Sequence, residues 1–158
     1  MKIQHGFTLI ELMVPLAVGA IVLTIGVPSF GDMIRNNRMT TQVNQVVSAM
    51  ALARSEAVKR GQSVEVTTAS GDSDWKDGWT VKVSGGETIR LFEAQKGNHT
   101  LVADGGQSTF TYDSQGFLTT ACGATCTVSL CLGSGETGRR LRIAPSGHVS
   151  VNGSYTCP

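Results

Sequence analysis

The chain has 158 residues, a formal net charge of +1, 16% charged residues and 19 glycines. That length holds one sizeable folded domain plus a terminal extension. The near-zero net charge excludes a partner recruited by overall charge, so any charge-driven role falls to a local patch.

The first element is an apolar run of 24 residues from Phe7 to Phe30, preceded by Lys2, His5 and Gly6. As a helix it spans ~36 Å at ~1.5 Å per residue, enough to cross a bilayer. A secretory signal would carry its small-residue cleavage site after the apolar core, whereas here the glycine comes before it. Glu11 is the anomaly of the run, because an isolated ionised side chain in hydrocarbon costs at least ~3 kcal/mol. Such a carboxylate is tolerated when a positive partner removes the penalty, and near the start of a helix the macrodipole favours it. Pro15 and Pro28 each delete a helical hydrogen bond, the former to the carbonyl of Glu11 itself. With Gly19 and Gly26 they predict a weakened helix.

From Ser29 to Arg60 the helical pattern turns amphipathic. Met39, Val43, Val46, Met50, Ala53 and Ala57 recur at spacings of four and three, which is one helix face. Lys59 and Arg60 close the last turn and Gly61 supplies a C-terminal cap. After Gly61 the period becomes two. SVEVTT, GWTVKVS, TIRLFEA, TFTYDS, CTVSLCL, RRLRIA and HVSVNG read as strands separated by Gly, Asp, Asn or Ser. One helix followed by many short strands predicts an α+β fold with antiparallel sheet laid against the helix.

The cysteines Cys122, Cys126, Cys131 and Cys157 crowd the last 37 residues. An even count behind a membrane-targeting start favours disulfides in an oxidising compartment, with three connectivities open. Zinc spacing fits poorly, since His5, His99 and His148 do not bracket the cysteines. GDSDWKDGW clusters Asp72, Asp74 and Asp77, but without an EF-hand spacing or a following bidentate glutamate. They read as solvated turn residues, with Trp75 and Trp79 packing the turn onto a sheet. No Ser/His/Asp set, acid–base carboxylate pair or phosphate loop stands out, so the expectation is a non-enzyme without cofactor or metal.

G-F-T-L-I-E resembles the leader junction of type IV prepilins and type II secretion pseudopilins. The resemblance implies cleavage between Gly6 and Phe7 by an inner-membrane prepilin peptidase, and N-methylation of Phe7. Glu11 would then set register by pairing with the amine of a neighbouring subunit. ALARSEAVKRG, DWKDGWTV and RRLRIAPSGHV are similar to the GspH/FimT/FimU group of minor pilins and pseudopilins. Implied is a leader at 1–6, a membrane and filament-core helix at 7–30, its amphipathic half at 31–61, and a periplasmic β-rich domain at 62–158. The partners implied are major and minor pilins. The destination is the inner membrane and then a pilus on the cell surface, where the chain would help initiate or cap assembly. A pseudopilin of a type II secretion system is the alternative of the same architecture. C-terminal loops closed by a disulfide are common in pilins, which implies Cys131 with Cys157 and leaves Cys122 with Cys126.

A second alternative is DNA binding for natural transformation. Arg139, Arg140 and Arg142 share one strand, Arg139 on the face opposite the other two, and such arginines can bind phosphate. FimT-type pilins carry a C-terminal G-R-x-R stretch, and the matching positions here are Gly147, His148, Val149 and Ser150. Both arginines of that stretch are absent. DNA contacts would then fall to Arg139, Arg140, Arg142 and His148, and would be weak.

Overall fold

The computed structural model describes residues 6–158, apart from the side chains at 25–29 and 32. The leader 1–6 therefore lies outside the described residues except for Gly6. Helix α1 runs Leu9–Arg60. Its start is a capping box, in which a threonine and a glutamate three residues on satisfy each other's orphan amides. The Thr8 amide donates to Glu11 Oε2 at 2.9 Å and the Glu11 amide to Thr8 Oγ1 at 3.3 Å. Its end is a Schellman closure: Gly61 takes φ +62°, and the Gln62 amide reaches back to the Ala57 carbonyl at 3.3 Å.

The chain divides into two units, 1–38 and 39–158. In the first, the described apolar side chains stand exposed, Phe7 and Leu16 among them. Among the described residues no helix is long and apolar enough to cross a membrane. The apolar run read over 7–30 includes the side chains at 25–29, which are not described.

In the second unit the predicted stripe is the core. Met39, Val43, Val46, Met50, Ala53 and Ala57 are all buried, and Ala49 joins them. The strands are β1 Val64–Thr68, β2 Trp79–Val83, β3 Thr88–Phe92, β4 Thr100–Ala103, β5 Thr109–Tyr112, β6 Cys126–Cys131, β7 Thr137–Ile143 and β8 Val149–Thr156. They form two antiparallel sheets, ordered β3-β2-β1-β5 and β4-β6-β7-β8. Seven of these strands fall on the stretches read from the sequence, and β4 is additional. Alternation places Val64 and Val66 opposite Val83 and Val81 on one side and opposite Tyr112 and Phe110 on the other, all facing the core. In the second sheet Leu130 sits opposite Leu101, and Val128 opposite both Ala103 and Leu141. This is the predicted α+β architecture.

Candidate functional site

The N-terminal site is Glu11. Besides the capping amide, its Oε2 accepts the Thr8 hydroxyl at 2.8 Å, so the carboxylate has a partner within its own chain. The T-L-I-E spacing, a threonine three residues before a glutamate at the helix start, is the sequence signal of this capping box.

Disulfides join Cys122 to Cys126 and Cys131 to Cys157, with Cα–Cα distances of 4.9 and 5.8 Å. The second ties the end of β6 to the C-terminal segment following β8, so the edge strand of that sheet is anchored at its far end.

The arginines of β7 divide as strand alternation requires, but only one is at liberty. Arg140 lies over the Tyr155 ring at 3.7 Å, donates from Nε to Ser129 Oγ at 3.1 Å and from Nη2 to Tyr155 Oη at 2.5 Å, and pairs with Asp104 at 3.2 Å. Arg139 is half-buried on the face shared with Leu141 and Ile143, and its Nε is buried without a hydrogen-bond partner in the protein. A Cβ on Gly153 would sit 3.0 Å from Arg139 Nη1, so this guanidinium crosses the glycine of β8. Arg142 is exposed and makes no ion pair among the described residues, and His148 is exposed in the β7–β8 turn. Two of the four candidate phosphate contacts are thus engaged in the fold.

The aspartate turn is equally self-contained. Asp72 Oδ1 accepts the Ser70 hydroxyl at 2.7 Å and the Asp74 amide at 2.9 Å, and the Ser70 bond above all holds its carboxyl below the usual carboxylate range. Asp74 caps a 3₁₀ turn, Trp75–Asp77, by accepting the Lys76 amide at 2.9 Å. Trp75 is fully buried against Phe110 and donates Nε1 to the Gln107 carbonyl, while Trp79 stacks on Phe92. Among the described residues no group of three or more His, Cys, Asp or Glu could hold a metal ion.

His99 is buried and shares a hydrogen bond of 3.1 Å between Nε2 and Gln95 Oε1. The Gln95 amide nitrogen faces the Gln42 carbonyl at 3.2 Å and Gln45 Oε1 at 3.3 Å. A carbonyl can only accept, so the Gln95 amide is oriented with its oxygen toward His99, and Nε2 of the imidazole carries the proton. Burial, reinforced by Lys76 and opposed by Asp74, lowers the basicity of the ring.

The helix motif meets the C-terminal motif at one point. Arg54 Nε donates to the Gly116 carbonyl at 3.1 Å. The turn Ala144–Gly147 presses against the same place: a Cβ on Gly147 would lie within contact of the Gly116 carbonyl oxygen, 3.0 Å from Arg54 Nε and 3.1 Å from the Tyr112 ring. Beside this crossing a groove of about 650 Å³ opens between the α1 stretch Val47–Lys59 and the residues Gly147–Val149. Its floor is Val47, Ala51 and Val58, and its polar lining includes Arg54, Lys59 and His148, with no carboxylate.

Two family models match. Residues 42–147 match the type II transport protein GspH, and residues 1–27 match the prokaryotic N-terminal methylation motif. Two proteins of Pseudomonas aeruginosa, each named fimbrial protein, are 33% and 32% identical over 112 residues, which is 68% of this chain and 72% of theirs. The fold is similar to crystal structures of the type IV minor pilin FimU of Pseudomonas aeruginosa (strain PAO1). One has a TM-score of 0.68 at 22% identity, covering 80% of this chain and 96% of that one. A second crystal form has a TM-score of 0.61 at 20% identity, covering 76% and 97%. The chain belongs to the GspH family, within the GspH/FimT/FimU group of type IV minor pilins and pseudopilins, and carries the N-terminal methylation motif.

Proposed function

We propose that this chain is a minor type IV pilin that helps to start or cap a pilus. The observation that carries the reading is a methylation motif whose glutamate occupies the third position of a helix built from exposed apolar side chains. A helix of that kind needs lipid or other apolar helices around it. In the inner membrane the peptide bond after Gly6 is hydrolysed by the prepilin peptidase, which frees the Phe7 amine for methylation. Residues 7–30 stay in the bilayer and 62–158 in the periplasm. Glu11, held until then by Thr8, meets the Phe7 amine of an adjoining pilin as subunits stack with an axial offset. The charge pair removes the cost of leaving either group alone in an apolar filament core. Catalysis has no part in this role.

A pseudopilin role in type II secretion shares every step, and the GspH match supports it as the second reading. DNA binding has the weaker support, since Arg140 is committed to Ser129, Tyr155 and Asp104 and the exposed candidate contacts left on that strand and its turn are Arg142 and the imidazole of His148. Intact-mass measurement on assembled filaments tests the main reading. The expected chain starts at methylated Phe7, and Gly6→Val accumulates as precursor. Glu11→Ala is expected to insert normally, because it removes a charge from hydrocarbon, and to be depleted from filaments. Filaments containing residues 1–6, or full incorporation of the alanine variant, would refute it.

A further inference from the structure

A second cavity, of about 590 Å³, opens where three stretches distant in sequence meet: the aspartate turn at Asp74 and Lys76, the residues from Asn98 into β4, and the end of β6. That volume lies in the range of about 300–1,000 Å³ usual for small-molecule sites. Cys131 lines it, so the Cys131–Cys157 disulfide fixes one wall.

The cavity is built around His99, which is only 4% exposed and yet lines it. Nε2 is engaged by Gln95 Oε1, and Gln95 is held in turn by Gln42 and Gln45 of α1. The ring is therefore fixed with a lone pair on Nδ1, an acceptor that has no hydrogen-bond partner among the described residues. Residue 97 leaves that atom uncovered. It is a glycine at φ +133°, and a Cβ there would lie 3.2 Å from Nδ1.

The other polar groups of the lining divide into engaged and open. Ser129 and Asp104 are bound to Arg140, and the Thr100 hydroxyl donates to the Cys131 carbonyl at 3.4 Å. The Lys76 ammonium and the Asn98 amide have no partner among the described residues. Open groups are thus an acceptor on His99, a donor on Lys76 and an amide that is both. Charge is balanced, since Asp74 offsets Lys76 and Arg140 pairs with Asp104 at 3.2 Å, which favours neither an anion nor a cation. Val102, 37% exposed, and half-buried Leu132 supply an apolar side. An extended peptide would have to add to the edge of β4, and that edge is taken: Asp74 bridges Val102, and the Ala103 amide donates to the Ser73 carbonyl at 3.3 Å.

We infer that this cavity binds a neutral sugar, one hydroxyl donating to His99 Nδ1, another accepting from Lys76 Nζ, and the C–H face of the ring lying on Val102 and Leu132. A hydroxyl both donates and accepts, so adjacent hydroxyls on one ring satisfy the acceptor and the donor together. The site is separate from Glu11 and the apolar run, and its failure would leave the pilin reading untouched.

The test is nitrogen NMR on the full-length chain carrying isotope-labelled histidine, at neutral pH in a phosphocholine detergent, because maltoside detergents are themselves glycosides. Methyl glucoside, methyl galactoside and methyl mannoside are the probes. At least one should move the His99 Nδ1 resonance saturably while His148 stays in place. Lys76→Met should weaken that binding by about tenfold, as for loss of one hydrogen bond from a charged donor. Val102→Trp, which fills the cavity from its apolar side, should abolish it. An Nδ1 resonance unmoved by all three glycosides overturns the inference. So does binding unchanged in either variant, or tighter binding of methyl glucuronide, which marks an anion site. An equal shift at His148 overturns it as well, as a bulk effect of the solute.

Discussion

The meeting of helix and C-terminal motif at Gly147 can be measured. The turn Ala144–Gly147 has proline second and glycine in the left-handed region at φ +79°, the Gly147 amide bonding the Ala144 carbonyl at 2.8 Å. Gly147→Ala meets two separate costs. The left-handed backbone penalises any Cβ by ~1–2 kcal/mol. The added methyl also intrudes on the Gly116 carbonyl, Arg54 Nε and the Tyr112 ring, and overpacking of that kind costs a further ~1–3 kcal/mol. The sum is about 2–5 kcal/mol. Gly61→Ala is the internal standard, since Gly61 has φ +62° and open space where its Cβ would stand. It carries the backbone term alone, about 1–2 kcal/mol. At about 4 °C per kcal/mol for a domain of this size, thermal unfolding followed by circular dichroism should fall by roughly 8–20 °C for Gly147→Ala and 4–8 °C for Gly61→Ala. Arg54→Ala, which removes one of the crowded atoms and its bond to Gly116, should be less than additive with Gly147→Ala. Equal losses for the two glycine variants, or strict additivity with Arg54→Ala, would refute the argument that the two motifs interlock there.

Two further predictions concern the rest of the domain. Because burial lowers the pKa of His99 in the folded chain, the unfolded chain takes up a proton first as pH falls through ~6.5. Stability should be flat above that pH and decline below it toward the folded pKa, seen as a lower urea midpoint at pH 5 than at pH 7.5. His99→Gln should abolish the part of the decline due to this group, and an unchanged decline would assign it elsewhere. Reduction of the disulfides should cost in proportion to loop size on the chain-entropy account. Removing Cys131–Cys157, separated by 26 residues, should cost ~3.5 kcal/mol and Cys122–Cys126, separated by four, ~2 kcal/mol. A double serine variant at Cys122 and Cys126 that unfolds at lower denaturant than the one at Cys131 and Cys157 would contradict that ordering.

What was legible in the sequence was whatever a local period encodes. The stripe from Met39 to Ala57 was readable because 3.6-residue periodicity places those six residues on one side of the helix whatever the rest of the chain does, and all six are buried. Strand β4 escaped because Thr100–Ala103 is only four residues long and its alternation is bounded by a histidine and an aspartate that look like loop. The state of the arginines was not readable at all. Whether Arg140 is free depends on Asp104, Ser129 and Tyr155, which are far from it in sequence and become neighbours only through the order β4-β6-β7-β8. The same holds for Arg54, whose partner Gly116 is 62 positions away.

The three motifs that carry the family resemblance end up doing structural work, and this bears on where function resides. Arg54 bonds Gly116, Trp75 and Trp79 fill the core, Asp74 caps its own turn, and Arg140 pairs with Asp104. The groups whose proton affinity is displaced trace to similar causes. Arg60 and Lys59 hold the Glu56 carboxyl low along the helix, a hydroxyl and an amide do the same for Asp72, and burial moves His99 and Tyr112. Perturbed groups mark active sites when burial and a specific charge partner prepare a side chain to exchange protons with a substrate. Here caps, same-helix pairs and plain burial account for each displacement. The motifs therefore encode a platform, and the exposed apolar side chains at the start of α1 lie outside it.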